Sequence, residues 1–413
     1  MTPKLDVAVC RRQFPGLARQ VNGNPAIFLD GPGGSQTPQV VVDAVSHCMT
    51  HCNANDGGAF ATSRAVGEVT TGARRAVADL LGAGDPDEIV FGQNMTSLTF
   101  ALSRALARTW RPGDEVVVTH LDHDANVTPW VLAARDAGAT VRRLDIDPTD
   151  CTLRLDLLPE LLNERTRLVA VGLAFNAVGT LNPVPAVAAA ARKARALVFV
   201  DAVHAVPHRR IDVRALGVDF LACSPYKFFG PHLGVLWGRR ALLEDLPAYK
   251  VRPAPDSIPG RWMTGTPSFE AIAGTHAAVD YLASLGGGGA RRASLATAYA
   301  TIQEHETALA RKFCDGLARM PSWRLWGVAD PSRFGERVAT FGLTHRSRPA
   351  SEVAAFLSDR GIFAWSGHFY AVSLIERLGL APDGMLRIGF LHYNTADEVE
   401  RTLEALAAFG DVE

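Results

Sequence analysis

The sequence predicts an α/β protein that has a large, mostly parallel, doubly wound sheet domain followed by a smaller α+β domain. Three observations predict this fold class. Short segments rich in Val, Ile and Leu alternate with amphipathic segments between about residues 85 and 240. The 413 residues, 47% of them apolar, exceed the roughly 250–300 at which a single core stops growing. The pattern also changes after the four glycines at 286–289.

The elements of each domain follow in order along the chain. In the large domain, the strand-like segments are EIVFG, EVVVTH, RLVAVGLAF, ALVFVD and FLACSP, and the helical ones between them are MTSLTFALSRALARTW, PWVLAARDAGA, VPAVAAAARKARA and DVRALG. A long helix over about 293–319 precedes the strand candidates WRLWG, RVATFGLT, IFAWSG and MLRIGF, which alternate with SEVAAFLSDRG and ADEVERTLEALAAF. We assign 1–25 to an N-terminal segment packing on the small domain, 26–285 to the large domain and 290–413 to the small domain.

The charge balance excludes two classes of partner. The chain has 42 Lys and Arg against 43 Asp and Glu, a formal net charge of −1. Nucleic-acid-binding and membrane-surface proteins usually need a basic face, so we expect neither partner. The N-terminus MTPKLDVAVCRRQFPGL has no signal-peptide core, and no window approaches the ~18 apolar residues of a membrane span. We therefore expect a cytoplasmic protein.

Six scattered cysteines in a long chain without a secretion signal predict reduced thiols. The segment HCMTHC places His47 and His51, and also Cys48 and Cys52, four residues apart on a predicted helix. Two side chains at that spacing could share a metal. No second ligand pair stands out, so we favour an ordinary helix with partly buried His and Cys and expect no metal site.

The segment VDFLACSPYKFFGPHLGVLWG places a single ammonium group, on Lys227, between two apolar runs. A second isolated charge comes earlier in the chain. Asp201 directly follows the apolar strand RALVFV, and His204 lies one turn further on. A buried carboxylate is costly unless it has a cationic partner. Lys227, at the end of a strand that should lie nearby, is the candidate for that partner.

Two further strand ends carry polar groups. Gly92, Gln93 and Asn94 lie between the strand EIVFG and a helix, where free N–H groups at the positive end of the helix dipole suit a phosphate. His123 follows the strand EVVVTH, and its flat ring can stack on a planar ligand or act as an acid or base. Ligands of doubly wound sheets bind at the carboxyl ends of the strands, where all these groups are expected.

Pyridoxal phosphate explains these features together. It needs a lysine for its aldehyde, a carboxylate opposite its pyridine nitrogen and anion contacts for its phosphate. The carboxylate keeps that nitrogen protonated, which makes the ring a stronger electron sink. The lysine must be partly desolvated to reach the neutral amine. The isolation of Lys227 between apolar segments meets that requirement.

With these residues in view, the chain resembles the class-V aminotransferase family, and within it the cysteine desulfurase group, which has the fold type I architecture of pyridoxal-phosphate enzymes. The resemblance runs from IFLDGPGGSQTP to RIGFLHYNTADEVE. Its strongest segments, in the order expected for the family, are DHDANVTPW, FNAVGTLNPV, VDAVHAVPH, SPYKFFGPHLGVLWG and GTPSF.

The resemblance implies a set of cofactor contacts. Three of them are also catalytic: Lys227 would bind the aldehyde, Asp201 would pair with the pyridinium nitrogen and His123 would stack on the ring. The other contacts would be Gln93, Asn94, Ser224 and Tyr226 at the phosphate, and His204 and Asn176 near the phenolic oxygen. Thr266 would touch the phosphate of a partner subunit, which implies a homodimer.

The resemblance also implies substrate contacts. Arg387, with Asn176, would bind the substrate α-carboxylate, because a guanidinium can form two parallel hydrogen bonds with it. Ser35, Trp365 and Tyr370 would contact the rest of an amino-acid substrate.

Two departures from the desulfurase pattern bear on the reaction. A desulfurase needs a thiolate on a mobile loop of the small domain. That loop corresponds to WSGHFYAVS, where Tyr370 stands at the cysteine position and no cysteine follows Cys314. Trp365 stands where many desulfurases have arginine, and GPGGSQTP replaces the commoner asparagine-alanine pattern. These changes predict a wider and less polar pocket.

The sequence therefore predicts a C–S β-lyase that converts an S-substituted cysteine into a thiol, pyruvate and ammonia, similar to the lincosamide-pathway enzymes that process cysteine S-conjugates. Decarboxylation with oxidative deamination, epimerisation and aminotransfer share the first steps and stay open. A regulator that binds the cofactor without turnover is disfavoured, because it should carry a DNA-binding domain and a basic patch.

Overall fold

The computed structural model describes residues 5–410. Its strands, in chain order, are β1 (Gln20–Val21), β2 (Asn24–Pro25), β3 (Ile27–Phe28), β4 (Ile89–Gly92), β5 (Glu115–Thr119), β6 (Thr140–Leu144), β7 (Ile146–Asp147), β8 (Thr152–Leu153), β9 (Thr166–Gly172), β10 (Leu197–Asp201), β11 (Phe220–Cys223), β12 (Gly234–Gly238), β13 (Trp323–Trp326), β14 (Thr340–His345), β15 (Ile362–Phe363), β16 (Trp365–Gly367) and β17 (Met385–Gly389).

The α-helices, in the same order, are α1 (Val7–Arg12), α2 (Gln39–His51), α3 (Ala61–Leu81), α4 (Met95–Ala107), α5 (Thr128–Ala137), α6 (Leu158–Leu161), α7 (Val184–Lys193), α8 (Val213–Leu216), α9 (Arg240–Asp245), α10 (Phe269–Ser284), α11 (Arg291–Leu317), α12 (Ala350–Asp359), α13 (Val372–Arg377) and α14 (Ala396–Gly410). Short 3-10 turns lie at Pro15–Ala18, Pro86–Glu88, Asp124–Asn126, Leu155–Leu157, Pro225–Lys227, Gly260–Trp262 and Pro331–Glu336. None of the described helices is long and apolar enough to cross a membrane.

The large sheet has seven strands in the order β4-β12-β11-β10-β9-β5-β6. Only β12 runs antiparallel to its neighbours within this sheet; the other pairings are parallel. The predicted α/β fold class, with its large and mostly parallel sheet, is therefore confirmed. The carboxyl ends of β4, β5, β9, β10 and β11 consequently meet along one edge.

Both faces of this sheet are buried. Alternate residues of β10 enter opposite cores: Val198 and Val200 pack in one, and Phe199 packs in the other. Helices cover both faces, so the strands are apolar throughout and do not alternate with polar residues. Strand β6 was missing from the sequence prediction because it lies at the sheet edge, where only Leu144 of its five residues is buried.

The C-terminal part has its own four-stranded antiparallel sheet, in the order β13-β14-β17-β16. A separate core includes Phe313 of α11, Phe341 of β14 and Leu406 of α14. The glycines at 286–289 form the turn between α10 and the 27-residue helix α11. The N-terminal segment contacts this part, because Arg11 pairs with Glu398 at 2.8 Å. Strand β3, which follows that segment, pairs with β15.

The segment HCMTHC forms the end of α2, as expected for a helix, and Cys52 is the C-cap residue. The exposed rings of His47 and His51 stack on each other with centroids 4.5 Å apart, whereas Cys48 and Cys52 are buried. Within residues 5–410, no group of three or more His, Cys, Asp or Glu side chains is arranged to hold a metal ion.

Candidate active site

A cavity of about 450 Å³ opens at the carboxyl edge of the large sheet and is closed on one side by the small-domain loop 365–370. It brings together most of the side chains that the sequence singled out. Those that line it are Asn94, His123, Asn176, Asp201, His204, Ser224, Tyr226, Lys227, Trp365, Tyr370 and Arg387. Gln93, Ser35 and Thr266 are not part of this lining.

Lys227 reaches the cavity from the 3-10 turn that directly follows β11. Its Nζ donates hydrogen bonds to the backbone carbonyls of Pro32 and Gly33, the latter at 3.1 Å. Ser35 supports this turn, because its hydroxyl donates to the carbonyl of Tyr226 at 3.1 Å and accepts from the N–H of Phe229 at 2.8 Å. The glycine-rich segment GPGGSQTP thus holds the lysine in place.

Burial, together with the positive charge of Arg387, lowers the pKa of Lys227 to about 7, against the opposing effect of the Asp201 carboxylate. The physical cause is that a charged ammonium loses its hydration in the buried site. A large fraction of Nζ is therefore neutral near pH 7, which is the form that can act as a nucleophile or accept a proton.

Two buried carboxyl groups lie close to each other in the cavity. Asp201 ends β10 and accepts a hydrogen bond from the N–H of Val203 at 2.9 Å; burial raises its pKa to about 6. Asp122 accepts from the hydroxyl of Thr119 at 2.7 Å, and burial, with the charge of Asp201, raises its pKa to about 7. Sequence reasoning missed Asp122, although it too follows a parallel strand of the sheet and directly precedes His123.

His123 is held by its own backbone turn. Its Nδ1 accepts a hydrogen bond from the N–H of Ala125 at 3.0 Å, so the proton of the neutral ring is on Nε2. Burial, with the positive charges of Lys227 and Arg387, lowers its pKa to about 4. The ring of Tyr370 stacks on it, with centroids 5.3 Å apart and planes 21° from parallel.

Arg387 and Asn176 form the polar wall beside the small-domain loop. Arg387 Nη1 donates to the carbonyl of Asn176 at 3.2 Å, and the Asn176 amide donates to the carbonyl of Phe369 at 2.9 Å. The guanidinium lies 4.2 Å above the ring of Phe369. Arg387 Nε and Asn176 Oδ1 are buried without a partner among residues 5–410. Such groups indicate a polar ligand in the cavity.

Of the four side chains predicted to contact the phosphate, three line the cavity and Gln93 does not. Asn94 caps α4, because its Oδ1 accepts from the N–H of Ser97 at 2.8 Å. Gln93 is exposed, and Thr96 lines the cavity instead of it. Ser224 also lines the cavity, and Tyr226 stacks on His232 with centroids 4.7 Å apart.

Thr266 is exposed and lies outside the cavity, so its contact with a partner subunit stays a prediction.

These residues fit pyridoxal phosphate. Lys227 offers a partly neutral amine for the aldehyde, and Asp201 offers a buried carboxylate for the pyridine nitrogen. His123 offers a flat ring, and Ser224 with the start of α4 offers donors for a phosphate. The buried Asn176 Oδ1, which has no partner among the described residues, marks the remaining polar contact.

Comparisons with known proteins agree with this geometry. The family model described as aminotransferase class-V matches residues 27–402. A cysteine desulfurase from Pectobacterium atrosepticum is 33% identical over 412 residues, which cover 96% of each chain. A probable cysteine desulfurase from Vibrio cholerae is 31% identical, over 97% of this chain and 98% of that one.

Solved structures show the same similarity. The apo structure of a cysteine desulfurase from Thermococcus onnurineus has a TM-score of 0.85 at 25% identity, over 96% of this chain and 98% of that chain. The cysteine desulfurase CsdA from Escherichia coli has a TM-score of 0.84 at 27% identity, over 98% of both chains. The chain therefore belongs to the class-V aminotransferase family of pyridoxal-phosphate enzymes and is similar to the cysteine desulfurases.

Proposed function

We propose that this enzyme is a C–S β-lyase, which converts an S-substituted cysteine into a thiol, pyruvate and ammonia. The observation that carries the proposal is Tyr370. This side chain stands at the loop position expected for the sulfur-accepting cysteine of a desulfurase, and its ring stacks on His123 at the cavity wall. A phenol cannot carry a persulfide, so a reaction that needs no protein thiol suits the site better.

The cysteines support this choice. All six are buried, and Cys223, which is nearest to Lys227 in sequence, is fully buried in the core of the large sheet. Burial raises the pKa of the Cys223 thiol well above its usual range. Since the thiolate is the nucleophile in sulfur transfer, none of these cysteines is suited to replace the missing loop cysteine.

The loop also lacks the freedom that sulfur delivery requires. The carbonyl of Tyr370 accepts a hydrogen bond from the N–H of Asp124 at 2.7 Å, and the carbonyl of Phe369 accepts one from Asn176. Phe369 and Tyr370 have φ of 52° and 57°, a left-handed conformation that non-glycine residues adopt only when their surroundings hold them there. These contacts favour a loop that acts as a fixed wall.

The chain supplies the remaining steps of a β-elimination. Arg387 binds the α-carboxylate, because its guanidinium is buried and Nε has no partner within residues 5–410. Neutral Lys227 Nζ accepts the proton of Cα. Pyridoxal phosphate, when bound, supplies the sink for the electrons left at Cα. Nζ then holds a proton for the sulfur, so the C–S bond breaks and a thiol leaves. Water supplies the oxygen of pyruvate, and nitrogen leaves as ammonia.

The cavity wall favours a large, uncharged sulfur substituent. Trp365 and Tyr370 line the cavity, yet 56% and 65% of their surfaces are exposed. The acidic, lysine and arginine side chains in the same lining are all buried: Asp122, Asp201, Lys227 and Arg387. An aromatic or long aliphatic group could therefore cover exposed aromatic surface without leaving a charge unpaired.

A product assay tests the proposal. The purified holoenzyme is incubated with S-benzylcysteine, S-methylcysteine and L-cysteine, and pyruvate, alanine and carbon dioxide are quantified. We expect pyruvate from S-benzylcysteine and little alanine from L-cysteine. Alanine with persulfide from L-cysteine would refute the lyase in favour of desulfuration. Carbon dioxide without pyruvate would refute it in favour of decarboxylation.

Two variants refine the assay. Trp365→Ala should lower kcat/KM for S-benzylcysteine more than for S-methylcysteine, because only the larger substrate reaches the indole. Val372→Ala is the matched control, since this residue is exposed nearby on α13 but does not line the cavity.

A further inference from the structure

His204 is a buried cavity residue whose environment comes from both parts of the molecule. It follows β10 in the large domain, lines the cavity and is only 3% exposed. Burial lowers its pKa well below the ordinary value, so the ring is neutral and carries one N–H. The proton can be on either nitrogen, and the partner of the second nitrogen decides what the first presents to the cavity.

The first partner of this ring comes from the small domain. The hydroxyl of Thr340, the first residue of β14, lies 3.0 Å from His204 Nε2 and is fully buried. A hydroxyl can donate or accept, so it satisfies either neutral tautomer. His204 Nδ1 forms no hydrogen bond with any residue in the range 5–410. The ring therefore has one nitrogen held by Thr340 and one available to a ligand.

A second contact packs against the His204 ring. The ring of His208 packs edge-on against that of His204, with centroids 5.2 Å apart and planes at 68°. His208 Nδ1 in turn lies 2.8 Å from a carboxylate oxygen of Glu306 on α11, and both side chains are about 2% exposed. His208 is thus prevented from turning, and it limits the space in which the His204 ring can rotate.

We propose that Thr340 is a positioning residue for His204. Its hydroxyl, held on the small-domain sheet, fixes the imidazole so that Nδ1 faces the bound cofactor, and the His208–Glu306 pair limits the rotation of the ring. The small domain thereby sets the geometry of a cofactor contact that belongs to the large domain. The proposal does not depend on which reaction follows cofactor binding.

The test measures the affinity of the apoprotein for pyridoxal phosphate and the absorption spectrum of the bound cofactor. Thr340→Val keeps the shape of the side chain and removes only the hydroxyl. We expect weaker binding of pyridoxal phosphate, by roughly tenfold, as for partners that orient ligating histidines. We also expect a shifted absorption maximum of the bound cofactor, because the ring nitrogen is no longer oriented. Thr340→Ser should restore both.

Two further variants separate positioning from simple loss of stability. Thr402→Val removes an equally buried hydroxyl, which donates to the carbonyl of Glu398 in α14. It should lower the melting temperature about as much as Thr340→Val without changing cofactor affinity or spectrum. Glu306→Ala should reproduce the spectral change through His208, whereas Glu306→Gln, which can still accept from Nδ1–H, should produce less of it.

The proposal fails if Thr340→Val binds pyridoxal phosphate with wild-type affinity and spectrum. It also fails if Thr402→Val produces the same changes, or if Thr340→Ser does not restore them. In either of those cases the hydroxyl contributes only to stability.

Discussion

Replacing Lys227 with methionine in the apoprotein tests how much the buried lysine destabilises the fold. Methionine has a similar length and shape but no charge, so the change removes the ionisable group and keeps the packing. Lys227 is only 9% exposed, and its Nζ is bonded to the carbonyls of Pro32 and Gly33. The experiment therefore compares one buried amine with its apolar equivalent.

The magnitude follows from the pKa. The pKa of Lys227 falls from 10.5 to about 7 in the folded chain, which corresponds to about 5 kcal/mol at 1.36 kcal/mol per pH unit. Between these values the unfolded chain binds a proton that the folded chain lacks, so the free energy of unfolding rises with pH. The resulting destabilisation of the wild type is about 4 kcal/mol at pH 7 and about 2 kcal/mol at pH 9.

Methionine relieves this destabilisation but also loses the two hydrogen bonds from Nζ to carbonyl groups. That loss offsets about 2 kcal/mol of the stabilisation at both pH values. The free energy of unfolding of Lys227→Met should therefore be about 2 kcal/mol higher than that of the wild type at pH 7 and nearly equal to it at pH 9. The range from pH 7 to pH 9 lies above the pKa of Asp201, which is about 6.

Urea unfolding of the two apoproteins at pH 7 and pH 9 measures this difference. Lys193→Met is the matched control, because that lysine is exposed on α7, so this variant makes the same substitution without changing a buried site. A Lys227→Met effect that is equal at both pH values, or larger at pH 9, would refute the argument that burial keeps this amine neutral.

Three further predictions concern the loaded enzyme. Asp201→Asn should still bind pyridoxal phosphate but lose about 100-fold or more in kcat, because a neutral amide cannot keep the pyridine nitrogen protonated; unimpaired turnover would contradict this role. Arg387→Lys should raise KM by about tenfold or more in steady-state kinetics, since an ammonium cannot form two parallel bonds with a carboxylate; an unchanged KM would exclude it as the carboxylate site. Tyr370→Cys should not produce alanine and persulfide efficiently from L-cysteine, because the carbonyls at 369 and 370 stay bound to Asn176 and Asp124; efficient sulfur release would show that the loop is mobile.

Local sequence pattern was sufficient to predict five of the seven strands of the large sheet, all except β6 and β12. Runs such as LVFV and FLAC are apolar on both faces, and strands of that kind occur in parallel sheets covered by helices. Because parallel strands share one carboxyl edge, the polar residues that follow them were expected to converge. His123, Asp201 and Lys227 do line one cavity.

The directions of other side chains near the site could not be predicted from the ends of the strands. Ser35 was expected to contact substrate, but its hydroxyl binds the backbone of the turn that carries Lys227. Gln93 was expected at the phosphate, but it is exposed and Thr96 faces the cavity. In both places a neighbouring group lies against the cavity or its lysine, whereas the direction of each side chain depends on backbone dihedrals that a short segment does not specify.

The sequence by itself determined the identity of the reactive groups and the sheet edge at which they meet, because strand polarity and hydrophobic pattern are local properties. Only the tertiary structure decided their ionisation and their partners. The partly neutral amine of Lys227 depends on burial beside Arg387, and the hydrogen-bond partner of His204 Nε2 is Thr340, 136 residues away in sequence. The apolar segments beside Lys227 indicated that it is desolvated, but the extent of desolvation and the long-range hydrogen bonds arise only when distant segments pack together.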